Sequence, residues 1–259
     1  MNNQHKKRVI VNEDVVNIDV VNKDVIVALD FPSRQQALAF LDTLGVHRPY
    51  VKVGMELFYA AGPSFIQSLK ERGHQIFLDL KLHDIPNTVQ RTMGVLAGLG
   101  VSMCNVHAAG TSMMMSAARE GLEQGTPVGF VRPRLIAVTQ LTSTDQWRMN
   151  HEILIPGSVE AAVSAYAHLA KEAGLDGVVC SPEEVSAIHK TCGNEFLTVT
   201  PGIRLASQGE GGKQDQVRVR TPKEAKALGA DYIVVGRPIT GAVDPLAAYL
   251  DIKRDFLEE

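Results

Sequence analysis

From residue 25 onward, short apolar runs rich in β-branched residues alternate with stretches whose apolar residues recur at three-and-four spacing. The runs 25–29, 50–53, 75–80, 102–106, 134–139, 177–180, 196–200 and 232–235 read as strands buried on both faces. Between them, sets such as Ala37-Phe40-Leu41-Leu44 and Val159-Val163-Tyr166-Ala167-Ala170 place apolar side chains on one face of a helix. Gly45, Gly73, Gly100, Gly174 and Gly229 follow such stretches, where a left-handed residue closes a helix. Eight strand–helix units in series predict an α/β fold, a (β/α)8 TIM barrel forming a single domain over residues 25–259. A doubly wound open sheet is the competing architecture. It usually carries a Gly-x-Gly-x-x-Gly turn after its first strand, and Ala28-Leu29-Asp30-Phe31-Pro32 is not one.

Residues 1–24 break the rhythm with three pentads, Val11-Asn12-Glu13-Asp14-Val15, Val16-Asn17-Ile18-Asp19-Val20 and Val21-Asn22-Lys23-Asp24-Val25. Asn and Asp disfavour helix and strand interiors while Val favours strand, so the local signals conflict. A flexible or loosely attached N-terminal extension without assigned function is expected.

The third strand and its loop, Phe77-Leu78-Asp79-Leu80-Lys81-Leu82-His83-Asp84-Ile85-Pro86-Asn87-Thr88, organise the polar residues. Period-two alternation puts Asp79 and Lys81 on one face and Leu78 and Leu80 on the other. Pro86 ends strand pairing and suits the first position of a helix. In a barrel, chemistry gathers at the C-terminal ends of the strands. There the first strand offers Asp30, the second Lys52, the fourth Asn105 and His107, and the fifth Leu141-Thr142-Ser143-Thr144. The seventh offers Pro201-Gly202-Ile203-Arg204 and the eighth Gly236-Arg237.

Composition narrows the function class. The chain has 259 residues and a formal net charge of −3, which gives no electrostatic footprint for nucleic acid or an anionic membrane. Cys104, Cys180 and Cys192 lack metal-type spacing and read as reduced residues of a cytoplasmic protein. No apolar run reaches membrane-spanning length.

Lys52, Asp79, Lys81 and Asp84 form a set of two cations and two anions, in which each charge favours the ionised form of its neighbours. Lys81, held as an ammonium, is suited to protonate a developing carbanion. Asp79 beside a substrate carboxylate would raise the energy of that carboxylate and favour its loss. Gly236 and Arg237 after the eighth strand resemble a phosphate grip, since Gly admits close backbone approach and Arg binds two oxygens at once. The Gly-rich loop 202–221 reads as a lid or a surface excursion, with Gln216 able to fold onto the phosphate. Asp79, His83, Asp84 and His107 could instead be drawn as a magnesium site, but Lys81 already occupies the place of the cation. His83 reads as a packed or solvated side chain. The stretch 146–155 with Trp147 reads as a peripheral insertion without chemical signature.

The segments Ala28-Leu29-Asp30, Val51-Lys52-Val53-Gly54, Asp79-Leu80-Lys81-Leu82-His83-Asp84-Ile85-Pro86-Asn87-Thr88, Asn105-Val106-His107-Ala108, Leu141-Thr142-Ser143, Thr200-Pro201-Gly202-Ile203-Arg204, Asp215-Gln216-Val217-Arg218-Val219 and Val235-Gly236-Arg237 together resemble the orotidine 5′-phosphate decarboxylase family, in its bacterial form. The resemblance covers residues 25–250 and implies conversion of orotidine 5′-phosphate to UMP and carbon dioxide, the last step of pyrimidine nucleotide synthesis, with no metal or organic cofactor. It implies that Lys81 protonates C6 of the pyrimidine, Asp79 sits beside the departing carboxylate, Lys52 holds Asp79 and the ribose, and Asp30 binds a ribose hydroxyl. Thr142 and Pro201 would meet the ring, and Gln216, Gly236, Arg237 and Arg204 would surround the phosphate. It further implies a homodimer in which Asp84 and Thr88 reach into the partner's site. The alternative is a magnesium-dependent sugar-phosphate decarboxylase or aldolase of the same superfamily. A catalytically silent nucleotide-binding barrel stands behind both.

Overall fold

The computed structural model describes residues 6–11, 14–19, 23–204 and 220–258, the first two segments by their backbone alone. Ten strands occur among them: β1 Lys6–Val11, β2 Asp14–Asp19, β3 Asp24–Ala28, β4 Tyr50–Gly54, β5 Ile76–Leu82, β6 Met103–His107, β7 Arg134–Val138, β8 Gly177–Val179, β9 Leu197–Thr200 and β10 Tyr232–Val235. Strands β3 to β10 close into a parallel barrel in chain order, β10 pairing with both β9 and β3. Each barrel strand lies within two residues of its expected position. Helices cover the barrel, as parallel strands with short β-branched runs require.

The alternating side chains make two cores. Ile26, Tyr50, Phe77, Met103, Ile136 and Tyr232 fill the barrel interior. Val27, Val51, Leu78, Cys104, Ala137 and Ile233 point outward against the helices. Asp79 continues the inward face of Phe77, and Leu80 the outward face of Leu78, as the alternation requires. All five expected helix-closing glycines have positive φ, from +60° at Gly45 to +90° at Gly229. Pro86 opens its helix, Pro86–Gly98, at the first turn.

That helix packs unusually closely on the next long one, Thr111–Gly125. A Cβ at Gly125 would lie 2.3 Å from the carbonyl oxygen of Gly94, and one at Gly121 would lie 2.1 Å from that of Gln90. Only glycine permits the crossing, which draws together the helices that follow β5 and β6. Buried polar groups brace the opposite end of the barrel, where Asp231 accepts from the backbone N–H and hydroxyl of Thr198, both at 2.9 Å.

The conflicting local signals of the N-terminal extension leave its secondary structure open. β1 and β2 pair as an antiparallel hairpin, Val9 opposite Val16, and form a sheet separate from the barrel. Backbone pairing here prevails over the poor strand propensity of the Asn and Asp positions. Among the described residues, no helix is long and apolar enough to cross a membrane.

Candidate active site

The chemistry begins with an irregularity in β5. Leu78 pairs with Cys104 of β6, but the next pairing, Leu82 with Val106, comes four residues later on β5 and two later on β6. The surplus on β5 is a bulge, a device that re-aims side chains beside functional sites. Inside it, Lys81 has φ +52°, a left-handed conformation that costs a non-glycine residue on the order of 1 kcal/mol or more.

Asn105 of β6 fills the bulge. Its side-chain oxygen accepts the backbone N–H of Lys81 at 2.8 Å, and its side-chain nitrogen donates to Asp79 Oδ1 at 2.7 Å. The residue is 1% exposed, so both polar ends of its amide are occupied away from water. Its position at the end of the fourth strand was legible in the sequence, but its role was not.

Around this support runs a chain of charges from three adjacent strands. Lys81 Nζ lies 2.7 Å from Asp79 Oδ1, and Lys52 Nζ lies 3.5 Å from Asp79 Oδ2 and 3.1 Å from Asp30 Oδ1. Burial by itself would raise the Asp79 carboxyl. Lys52 and Lys81, with hydrogen bonds from Lys81 and Asn105, more than offset it and hold the group below its ordinary value. Burial would likewise lower Lys52, yet Asp79 and Asp30 hold its ammonium above the ordinary value. Asp79 and Lys52 therefore stay ionised at neutral pH.

These side chains line a cleft of about 780 Å³ at the C-terminal mouth of the barrel. Of the residues singled out in the sequence, Asp30, Lys52, Asp79, Lys81, Thr142, Pro201, Arg204, Gly236 and Arg237 line it. Gly236 begins the short helix Arg237–Thr240 with no side chain of its own to cap the first turn. A Cβ there would sit 3.5 Å from Asp30 Oδ2, across the seam between β10 and β3. Gln140 also lines the cleft, 8% exposed, and was not singled out because a neutral amide after an apolar run carries no charge signal.

Asp84 and Thr88 stand apart. Both are exposed, neither lines the cleft of its own chain, and Asp84 Oδ1 accepts the N–H of Ile85 at 2.6 Å. Within one chain, the second anion beside Lys52 is therefore Asp30 rather than Asp84. Gln216 and the glycines at 209, 211 and 212 lie outside the described residues. The neck of their loop is described: Arg204 N–H donates to Arg220 O and Arg220 N–H to Gly202 O.

The magnesium reading finds no support in the geometry. Among the described residues, no three His, Cys, Asp or Glu side chains are grouped to hold a metal ion. His83 is exposed and its ring lies 5.7 Å from that of His107. Trp147 lies on the helix Gln146–His151, 59% exposed and stacked on His151.

Comparison with known proteins agrees with the geometry. Residues 23–252 match the model of the orotidine 5′-phosphate decarboxylase / HUMPS family. An orotidine 5′-phosphate decarboxylase of Bacillus mycoides is 59% identical over 232 residues, spanning 90% of this chain and 96% of its own. The crystal structure of orotidine 5′-phosphate decarboxylase from Lactobacillus acidophilus superposes with a TM-score of 0.82 at 47% identity, covering 91% of this chain and 99% of that one. An uncharacterised conserved protein from Geobacillus kaustophilus superposes with a TM-score of 0.79 at 50% identity, over 90% and 99% of the two chains.

Proposed function

This chain belongs to the orotidine 5′-phosphate decarboxylase / HUMPS family and decarboxylates orotidine 5′-phosphate to UMP, and we propose that Asp79 and Lys81 carry the reaction without metal or organic cofactor. The observation that supports this division of labour is the 2.7 Å pair of Lys81 and Asp79, buttressed by Lys52 and open to the cleft. With the pyrimidine seated there, its carboxylate faces the Asp79 carboxylate. Repulsion between two anions in a partly dry site favours the step that removes one of them. The bond from C6 to the carboxylate breaks, its electron pair stays on C6, and carbon dioxide leaves. The Lys81 ammonium then delivers a proton to C6, giving UMP and a neutral amine that solvent reprotonates.

The remaining residues bind and orient. Lys52 holds Asp79 and Asp30 together, which leaves Asp30, with its side chain 65% exposed, to accept a ribose hydroxyl. Thr142 and Pro201 border the ring, while Arg204, Gly236, Arg237 and, from the loop, Gln216 take the phosphate. Binding energy from that distant phosphate can hold the strained geometry at the pyrimidine.

Asp84 and Thr88 are assigned to the site of a partner in an isologous homodimer. Their exposure outside their own cleft supports this, as does Ile85 between them, an apolar residue 66% exposed. Mixed Lys81→Ala and Asp84→Asn variants test it. Each heterodimer then carries one intact site, so an equimolar mixture regains about a quarter of parental activity if subunits exchange freely. No regain after refolding the variants together would place Asp84 outside the shared site. The free, buried cysteines accord with residence in the reducing cytoplasm.

The whole reading is tested by following the ultraviolet spectrum of orotidine 5′-phosphate with the protein in EDTA. Decay to the UMP spectrum, unchanged by added magnesium, is expected. Activity that appears only when magnesium is restored would move the protein to the metal-dependent relatives.

A further inference from the structure

We infer that Asn105 is a positioning residue, whose single amide both holds Lys81 in its left-handed conformation and orients Asp79 through Oδ1, the oxygen that meets the Lys81 ammonium. This deepens the proposed mechanism and rests on the roles given there to Lys81 and Asp79. Lys81 needs a partner for its N–H because the bulge removes it from the regular β5–β6 ladder. Asp79 Oδ1 must be fixed because it is also the oxygen that meets the Lys81 ammonium at 2.7 Å. The Asn105 amide answers both needs at 2.8 and 2.7 Å. It joins the backbone that aims the proton donor to the carboxylate that faces the substrate's own. Because the residue is 1% exposed and held by β6, a loss at this site displaces both groups together.

Asparagine fits here because it offers an acceptor and a donor in one plane and carries no charge. A neutral carboxylic acid is its isostere, since the carbonyl oxygen accepts and the hydroxyl donates. An ionised carboxylate is not, because it accepts only and would sit against Asp79 as a like charge. Asn105→Asp should therefore act as a protonation-dependent replacement. The charged and titratable groups around position 105 are Asp79 and Lys81 of β5, His83 just after that strand, Lys52 of β4, Asp30 beyond β3 and His107 on its own strand. On the other side β7 presents Ile136 opposite Asn105, and the one charge of that strand, Arg134, pairs opposite Met103 and is bound to the hydroxyl of Tyr232.

The test compares the parent with Asn105→Ala and Asn105→Asp, measuring kcat, KM and UMP binding from low to neutral pH, each normalised to the folded fraction by circular dichroism. Asn105→Ala is expected to lower kcat by about 10- to 100-fold, the scale seen when an orienting partner is lost, with UMP binding little changed. For Asn105→Asp, the ratio of its kcat to the parent's should climb as pH falls, since protonation restores the donor. Dividing by the parent removes the titration of His107 common to both. A flat ratio, or losses that follow the folded fraction or UMP binding, would overturn the inference. If the alanine variant does not fold, the near-isosteric Asp variant still decides. Lys81→Ala and Asp79→Asn run alongside. Should those two turn over normally, the mechanism itself fails; should they be inactive while both Asn105 variants match the parent, only the role of Asn105 fails.

Discussion

The two mouths of the barrel are built from the same residue types and do opposite things with them. At the N-terminal mouth, Asp176 takes a bidentate Arg132 at 2.8 and 2.9 Å and the N–H of Leu135 at 2.6 Å. Asp231 there takes both donors of Thr198, and His189 Nε2 lies 3.3 Å away. Arg134 bonds the hydroxyl of Tyr232, whose ring stands edge-on to Tyr50 across the interior. These carboxylates are satisfied by the chain that carries them. At the C-terminal mouth, Asp79 is satisfied as well, but its partners Lys52 and Lys81 border an open cleft, and Lys81 is strained at φ +52°. A buried ion pair alone is weak ground for function. What separates the two ends is that one network closes on itself while the other leaves charge facing space a ligand can fill.

Removing the charge that faces that space should give the largest effect. Lys81→Ala deletes the proton donor and is expected to lower kcat by at least about 10²- to 10⁴-fold, the usual range for a positioned acid. Thermal stability should change little, because Asp79 keeps Lys52 and Asn105. Undiminished turnover would erase the distinction between the two mouths.

The comparison also explains what could be read from the sequence. Strand positions were legible because each barrel strand is a short apolar run between glycine-closed helices. Asp79 and Lys81 were legible because opposite charges on one face of a buried strand are conspicuous. Asn105 was seen at the strand end but not as a hub, because strict alternation contains no bulge and only the β5–β6 register reveals the unpaired N–H that it serves. Gln140 was passed over for lack of charge. The closed network at the other mouth was invisible for a related reason, since Asp231 and Thr198 lie 33 residues apart and meet only when β9 and β10 pair. In the extension, the hairpin went unread because its Asn and Asp positions argue against the strand that its valines favour.

The next effect in size falls on stability. Asp231→Ala leaves the Thr198 N–H and hydroxyl without an acceptor, and each buried donor so orphaned costs about 1–3 kcal/mol. At this chain length one kilocalorie lowers Tm by about 2–4 °C. Calorimetry should register a drop of that order, with kcat per folded molecule unchanged. A selective loss of kcat at unchanged Tm would mean that this mouth too takes part in function.

The smallest effect sharpens the comparison through pH, because each end of the barrel holds one histidine whose pKa is depressed. His74, before β5, is pushed down by burial and then by Arg48 and Arg72, although its hydrogen bond to Pro49 O acts the other way. His107, at the end of β6, is pushed down by burial and then by His83 and Lys81, with Asp79 opposing. In both cases the folded state holds the ring neutral at a pH where the unfolded chain binds a proton. The unfolded state thus carries more protons between the depressed value and the unfolded one near 6.5, and stability rises with pH across that window. Acidification from pH 7.5 to 5 should therefore lower Tm. His74→Gln keeps a donor for Pro49 O while removing the titration, and should recover roughly one or two degrees of that loss with no change in kcat at either pH. His107→Gln removes a similar share of the acid sensitivity but acts beside Lys81, so it should also shift the pH profile of kcat. Identical kinetic behaviour of the two variants would show that His107 does not sense the charge at the open mouth.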